Sequence, residues 1–496
     1  YVGANQSSEV AGGVPVNRPN VRVQEMNEWE IKTQAGILHY NMKWLDDDKG
    51  REKKRAFLKS IWLQACAFLY TNRVHPEEIF WSYPGSMMTS DRDELEGIFE
   101  DLCKITPFGR KPELANKLFT EAEAVCSYAM SQEFGLNSNN MFLGIDVGGS
   151  TSDILLIAKN PQNNNRYSLF RESSVRLAAG VFFDAVKKSE QYRQALVDFH
   201  EGHDTAVYVE NIKEIIDHPD KAPYYLNSIF DQLKNQDDYD AFYASLSSNA
   251  KFVFTIPAYV CGLLLFYSGM LIGKTIKLNR LGNIERIELM PFGKGGRLFH
   301  WLRHASSSRT TNEFYNNCVN AGLQLIIPDK TVSIKYHEEI ENDNKTEVAR
   351  GLCENNELAI VDALNDCDIC GETGVRFIKD GNTISIAPDD EISGEQFSDD
   401  MSYFDFSGVQ NFEKFMDIFI KFVSKDTKLY HRAEDSLRDE ICELPTRIIS
   451  FCTNDPEYKK ASKNNKNGEG FHYHQPIIIA EGACFLKSLI SKVFNQ

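Results

Sequence analysis

No basic stripe offsets the acidic excess of this 496-residue chain: 54 Lys and Arg stand against 71 Asp and Glu, a formal net charge of −17. Charge of that sign repels a phosphate backbone, so nucleic acid is excluded as the main partner. Heptad seams and repeats of solenoid period are missing, which excludes a coiled coil and a repeat array. A disulfide framework is missing too, because the eleven cysteines are irregularly spaced and odd in number. A reducing, cytoplasmic setting is therefore expected, in keeping with the lack of a charged, apolar, small-residue leader after Tyr1. What remains is an ordinary globular balance, 42% hydrophobic and 25% charged, in a chain long enough for two to four units of roughly 150 residues.

Charge is also absent from residues 252–273, a run that meets the length of a membrane span, about 20 residues. Pro257 is expected to divide it into a β-rich segment, 252–256, and a helix over 258–273 too short to cross a bilayer. The run is read as core, and no membrane span is expected.

The first 35 residues are polar and read as loop. Phe57, Leu58, Ile61, Trp62, Cys66 and Leu69 recur at helical spacing, residues 78–83 read as a strand, and a helix capped by Ser90 or Asp91 follows through Leu95, Ile98, Phe99 and Leu102. This order predicts an α/β fold. A helix over 121–132 leads to apolar strands at 141–145 and 154–157 joined by a glycine turn. Residues 185–250 read as a polar helical insertion, 284–289 as a strand, 291–296 as a turn and Arg297 as a helix start. From Cys353 onward the chain reads as acidic and loop-rich, with 389–402 and 454–470 as flexible insertions. The expected division is 1–140, a core of 141–184 with 251–352, the insertion 185–250, and a C-terminal region 353–496.

The glycine turn carries the clearest chemistry. In Asp146-Val147-Gly148-Gly149-Ser150-Thr151-Ser152-Asp153, consecutive small residues let backbone N–H groups approach an anion with no Cβ in the way. Ser150 and Thr151 add hydroxyl donors, and Asp146 at a strand end can hold Mg²⁺ through water or orient an attacking water. An ordinary Gly-rich turn with a capping Asp is the plainer reading. The segment is not a Walker A loop, since no Gly-Lys-Ser/Thr follows, nor a dinucleotide fingerprint, since a strand follows it. Cys367 and Cys370 have knuckle spacing without a second C-x-x-C, and read as a reduced loop pair. His200, His203, His300 and His304 fall in no catalytic pattern.

Gly144-Ile145-Asp146-Val147-Gly148-Gly149-Ser150-Thr151-Ser152-Asp153 resembles the second phosphate motif of the actin, heat-shock-chaperone and sugar-kinase ATPase superfamily, with Ser150 in place of the third glycine. Four further segments resemble that family's motifs in its own order. Residues 121–128 are similar to the first connecting helix, where Glu121 would turn toward the attacking water. Residues 177–184 resemble the Gly-Gly-x-x-Phe-Asp turn, with Gly180 kept and Ala179 in place of a glycine. Phe292-Gly293-Lys294-Gly295-Gly296 resembles the adenosine motif, and residues 344–351 the second connecting helix with its small Ala-x-Gly face. Residues 477–483 compete for the adenosine role as a strand, glycine and helix broken by Glu481, and otherwise read as core.

The resemblance implies an actin-like ATPase fold, two ribonuclease-H-like lobes around a nucleotide cleft. It implies ATP and Mg²⁺ as ligands, phosphates gripped by Gly148, Gly149, Ser150 and Thr151, metal and water organised by Asp146, and the nucleoside near Gly293, Lys294, Gly295 and Gly296. Slow hydrolysis coupled to a protein partner or client is the implied activity, with self-association open; a nucleotide sensor that scarcely hydrolyses and a small-molecule kinase are the alternatives. The family's first phosphate motif, Asp-x-Gly-Thr-like, is not found before Glu121. Either a longer protein supplies it, as Tyr1 at the start favours, or half the phosphate grip has been lost.

Overall fold

The computed structural model describes residues 10–11, 14–15, 48–83, 87, 89–115, 119–131, 138–149, 151–162, 166–182, 185, 189, 190, 194, 198, 255–281, 284–337, 347–354, 359–360, 368–379, 382–391, 404–406, 409–425, 434–454, 459 and 475–494. It is a mixed α/β protein whose chain divides into two compact units. The first comprises Tyr1–Tyr128, Val197–Gln232 and Lys345–Asn355, and the second Ala129–Leu196, Leu233–Asn344 and Asn356–Gln496. Most of the expected insertion at 185–250 lies outside the described residues.

In the first unit, helices α1 (Asp48–Thr71) and α2 (Thr89–Lys104) meet along Leu58, Ile98 and Leu102, with Trp62, Leu95 and Phe99 at the margin. Removing each of these buried aliphatic side chains from water contributes roughly 1.5–3 kcal/mol. The strand expected over 78–83 is instead two short ones, Glu78–Ile79 and Ser82–Tyr83, paired in parallel with Glu113–Leu114 and Phe119–Thr120. Trp81 interrupts them by turning inward against Phe99, ring centroids 5.1 Å apart. Helix α3 (Glu121–Ser131) opens on a reciprocal cap: Thr120 Oγ1 accepts from the Glu123 amide at 3.0 Å, and Glu123 Oε2 accepts from the Thr120 amide at 2.7 Å.

The second unit is built on a six-stranded sheet. Strands β1 (Asn140–Val147), β2 (Ser152–Asn160) and β3 (Arg166–Val175) form an antiparallel meander, while β4 (Arg286–Phe292) and β5 (Ser333–Tyr336) add in parallel beside β1. With the two-residue strand β6 (Ala359–Ile360) beside β3, the spatial order is β5-β4-β1-β2-β3-β6. Strand β4 extends past the expected 284–289, so Pro291 and Phe292 are strand rather than turn. Pro291 is tolerated because β5 pairs only with Arg286 through Leu289, leaving no ladder partner on that side to miss its N–H.

Between β3 and β4 runs α4 (Thr255–Asn279), 25 residues buried from Thr255 through Gly273. Its extent corrects the expected strand and short helix: residues 252–254 lie outside the described residues, and Pro257 sits in the first turn, where its missing N–H would have no intrahelical partner. Lys274 does not end the helix, because its ammonium leaves the core to reach the Asp389 carbonyl at 2.7 Å. Among the described residues α4 is the one helix long and apolar enough to cross a membrane, and its apolar window is wholly buried within the protein. Helices α5 (Arg297–Ala305) and α6 (Ser308–Ile326) follow β4. Gly269 and Gly322 let α4 and α6 approach until backbone meets backbone, since a Cβ on Gly269 would strike the Val319 carbonyl and one on Gly322 the Phe266 carbonyl.

Helix α7 (Glu347–Cys353) returns to the first unit, where Gly351 lies directly against the Ala124 carbonyl of α3. The remainder corrects the loop-rich expectation for residues after 353. A three-stranded antiparallel sheet of β7 (Val375–Lys379), β8 (Asn382–Ile386) and β9 (Phe404–Phe406) is followed by α8 (Gln410–Lys425), α9 (Glu434–Thr453) and α10 (Ile477–Phe494). Tyr259 of α4 stacks on Phe485 of α10 and meets Phe415 and Phe419 of α8 edge-on, so these helices belong to the second unit's core. Residues 477–483, expected as strand and glycine turn, are the first two turns of α10.

Candidate functional site

The site residues named from sequence in the second unit converge on the ends of β1 and β4. Apolar residues bury β1 up to Ile145, and Asp146 is the first half-exposed residue. Across the antiparallel pair Asp146 stands opposite Asp153, and across the parallel pair it stands opposite Phe292. The bend between β1 and β2 closes with the Gly148 amide donating to the Thr151 carbonyl at 2.8 Å. A Cβ on Gly148 would lie 2.8 Å from that carbonyl oxygen, whereas Gly149 is exposed with open space before it. Ser150 lies outside the described residues.

A second loop braces the bend. The Ala179 and Gly180 amides donate to the Gly148 and Gly149 carbonyls at 3.1 and 3.0 Å, and the buried Ser152 hydroxyl donates to the Leu177 carbonyl at 2.6 Å. Gly180 is required, because any Cβ there would strike the Gly149 carbonyl. With their carbonyls turned to this loop, Gly148 and Gly149 are held in one shape.

The third element is the turn after β4. Gly293 has φ of 66°, a left-handed conformation that favours glycine, and its carbonyl accepts from the Gly296 amide at 3.1 Å. Lys294–Gly296 forms a 3₁₀ turn, and α5 begins at Arg297 with no side-chain cap on its N-terminal amides. Gly293 packs on the Asp146 carboxylate and Gly295 on Val147, so the bend and the turn share one surface.

Two carboxylates directly opposite each other on adjacent strands destabilise the sheet unless a cation or proton intervenes. Asp146 and Asp153 together offer the hard oxygen donors that suit Mg²⁺. Asp153 had no role assigned from the sequence; the four-residue bend 148–151 between β1 and β2 brings it opposite Asp146. Glu121 belongs to the first unit, where it is buried at the first position of α3. Cys370 is buried, donates to the Glu372 carbonyl at 3.5 Å, and has its thiol pushed far up by burial, so it stays protonated. Cys367, His200 and His203 lie outside the described residues.

Comparison of the chain with protein-family models finds no match, and comparison with curated proteins finds none.

Proposed function

We propose that this chain is an ATP-binding, slowly hydrolysing ATPase of the actin and heat-shock-chaperone kind, coupling nucleotide state to a protein partner. One observation carries the reading: the bend after Asp146 and the turn at residues 293–296, far apart in the chain, meet through Gly293 on Asp146 and Gly295 on Val147. A phosphate nest beside a strand-to-helix glycine turn is the arrangement a nucleoside triphosphate needs, with charge at one end and a planar group at the other. The order β3-β2-β1-β4-β5, with β2 alone antiparallel to the strands flanking it on that side, supports a ribonuclease-H-like lobe.

In this reading the Gly149 and Thr151 amides and the Thr151 hydroxyl donate to phosphate oxygens. Asp146 and Asp153 are the residues that would hold Mg²⁺, directly or through its water; the ion would neutralise charge on the transferring phosphoryl group. Asp146 also orients the attacking water. Gly180 and Ala179 keep the bend from opening when the anion is absent.

The test is phosphate release with a parallel calorimetric titration of ATP, with and without Mg²⁺. The wild-type chain is expected to bind ATP more tightly with Mg²⁺ and to release phosphate slowly, and Asp146→Ala to lose both the Mg²⁺ effect and the turnover. An ATP heat of zero, or one indifferent to Mg²⁺ and to Asp146→Ala, would refute the reading.

A further inference from the structure

We propose that Gly293 and Gly295 are positioning residues for Asp146, holding the charged end of the site in place, rather than the floor on which a nucleoside lies. The inference rests on the nucleotide reading above and changes the work assigned to this turn. A glycine turn serves a ligand when the space a Cβ would fill is open to that ligand. Here that space is occupied by the protein itself. A Cβ on Gly293 would overlap Asp146 Oδ1 and come within 3.3 Å of its Cγ. One on Gly295 would strike the Val147 carbonyl, lie 2.7 Å from Val147 Cγ1 and lie 3.0 Å from Ala179 Cβ. Gly296 differs, since its Cβ would meet nothing nearer than Pro291 of the preceding strand β4 at 3.3 Å.

The two positions therefore form a seam. Strand pairing sets Asp146 opposite Phe292, and the left-handed turn at Gly293 then folds backbone over the carboxylate. That backbone limits where Oδ1 can point, so the rotamer of Asp146 depends on a segment remote in sequence. The bracing amides of Ala179 and Gly180 fix the bend from one side while the Gly293 turn fixes its carboxylate from the other. A displacement of the turn reaches Asp146 through this contact, which couples the strand-to-helix turn to the carboxylate of the bend.

The experiment compares adenosine with ATP and Mg²⁺ on the full chain, for wild type, Gly293→Ala and Asp146→Asn. The expected result for Gly293→Ala is adenosine affinity within about twofold of wild type and at least a tenfold loss of the Mg²⁺-dependent gain in ATP affinity, as in Asp146→Asn. Equal proportional losses for adenosine and for ATP with Mg²⁺ would restore the nucleoside-floor role and overturn the inference, as would an unchanged Mg²⁺ gain. Thermal unfolding without nucleotide tests the seam independently of any ligand. Gly293→Ala is expected to lower the midpoint, and adding Asp146→Ala, which removes the colliding oxygen, to return part of that loss. Additive losses would overturn the seam even if ATP binds, whereas a wild-type chain that ignores ATP but shows the recovery would refute only the nucleotide reading.

Discussion

Among the described residues of the second unit, carboxyl groups meet at the ends of β1 and β2 and again in the helical layer, in opposite surroundings. At the ends of β1 and β2, Asp146 and Asp153 face each other beside an exposed glycine bend. In the helical layer, Glu481 of α10 is completely buried beside the buried Glu372. Glu372 accepts from the Thr373 amide and, at the N-terminus of α8, from the Asn411 and Phe412 amides at 2.8 and 2.9 Å. Burial pushes both Glu carboxyls up, but those amides favour charge on Glu372, so the shared proton belongs to Glu481. One pair is sealed in the helical layer, where burial pushes its carboxyls up, whereas the other lies beside an exposed bend with Asp146 half-exposed. Acidity alone therefore does not mark a site; access and the neighbouring backbone donors do.

The largest effect should follow from unsealing the closed pair. Glu372→Ala strands two α8 amides and removes the counterpart of Glu481, at a cost of roughly 3 kcal/mol, read as a lower urea midpoint. At the open pair the sign should reverse. Asp146→Asn relieves like-charge repulsion across the strand pair, so apo stability should hold or rise by up to about 1 kcal/mol while Mg²⁺-dependent ATP binding is lost. A fall as large as that for Glu372→Ala would make Asp146 a structural residue and erase the contrast.

A smaller, pH-dependent effect sharpens it further. Glu481 keeps its proton in the folded state and loses it in the unfolded state above the ordinary carboxylate range. Its stabilising contribution is thus complete below that range and is lost as pH rises through the folded value. Cys370, Cys484 and Tyr259, all raised by burial, are further titratable groups beside it. Glu481→Gln should match wild type near pH 4.5 and become progressively more stable than it as pH rises, measured by urea unfolding across pH. Parallel curves would mean that Glu481 is not the proton carrier. The smallest effect belongs to the cap of α6, where Ser307 Oγ accepts from the Thr310 amide at 3.1 Å; Ser307→Ala should cost about 1 kcal/mol and leave both carboxyl pairs untouched.

Legibility in the sequence divides along the same line of burial. The bend at residues 148–151 was readable because apolar strand, small polar residues and returning strand each leave a local pattern. Strand β3 was not, since Ser168, Arg171 and Ser173 are buried polar residues that erase the alternation; Arg171 is held by Glu391 and Ser173 by Asp368. Helix α6 hides behind asparagines whose work is tertiary: Asn316 and Asn320 accept from the Ile334 and Val332 amides and satisfy the outer edge of the sheet. The Ile477-Ile478-Ile479 run has strand propensity, but its amides at 477 and 478 reach the Cys370 carbonyl and tertiary burial makes it a helix start. Within the site, the residues themselves were legible, and the seam was not. It depends on β4 extending to Phe292, three residues past the expected end at Leu289, and on contacts that no local pattern encodes.

The central claim is that the bend after Asp146 and the turn at 293–296 form one nucleotide-binding surface. Amide hydrogen exchange of the full chain, with and without ATP and Mg²⁺, reads both segments at once. Simultaneous slowing at residues 148–151 and 293–297, lost in Asp146→Ala, is the predicted result. Protection of one segment without the other, or of neither, would contradict the account.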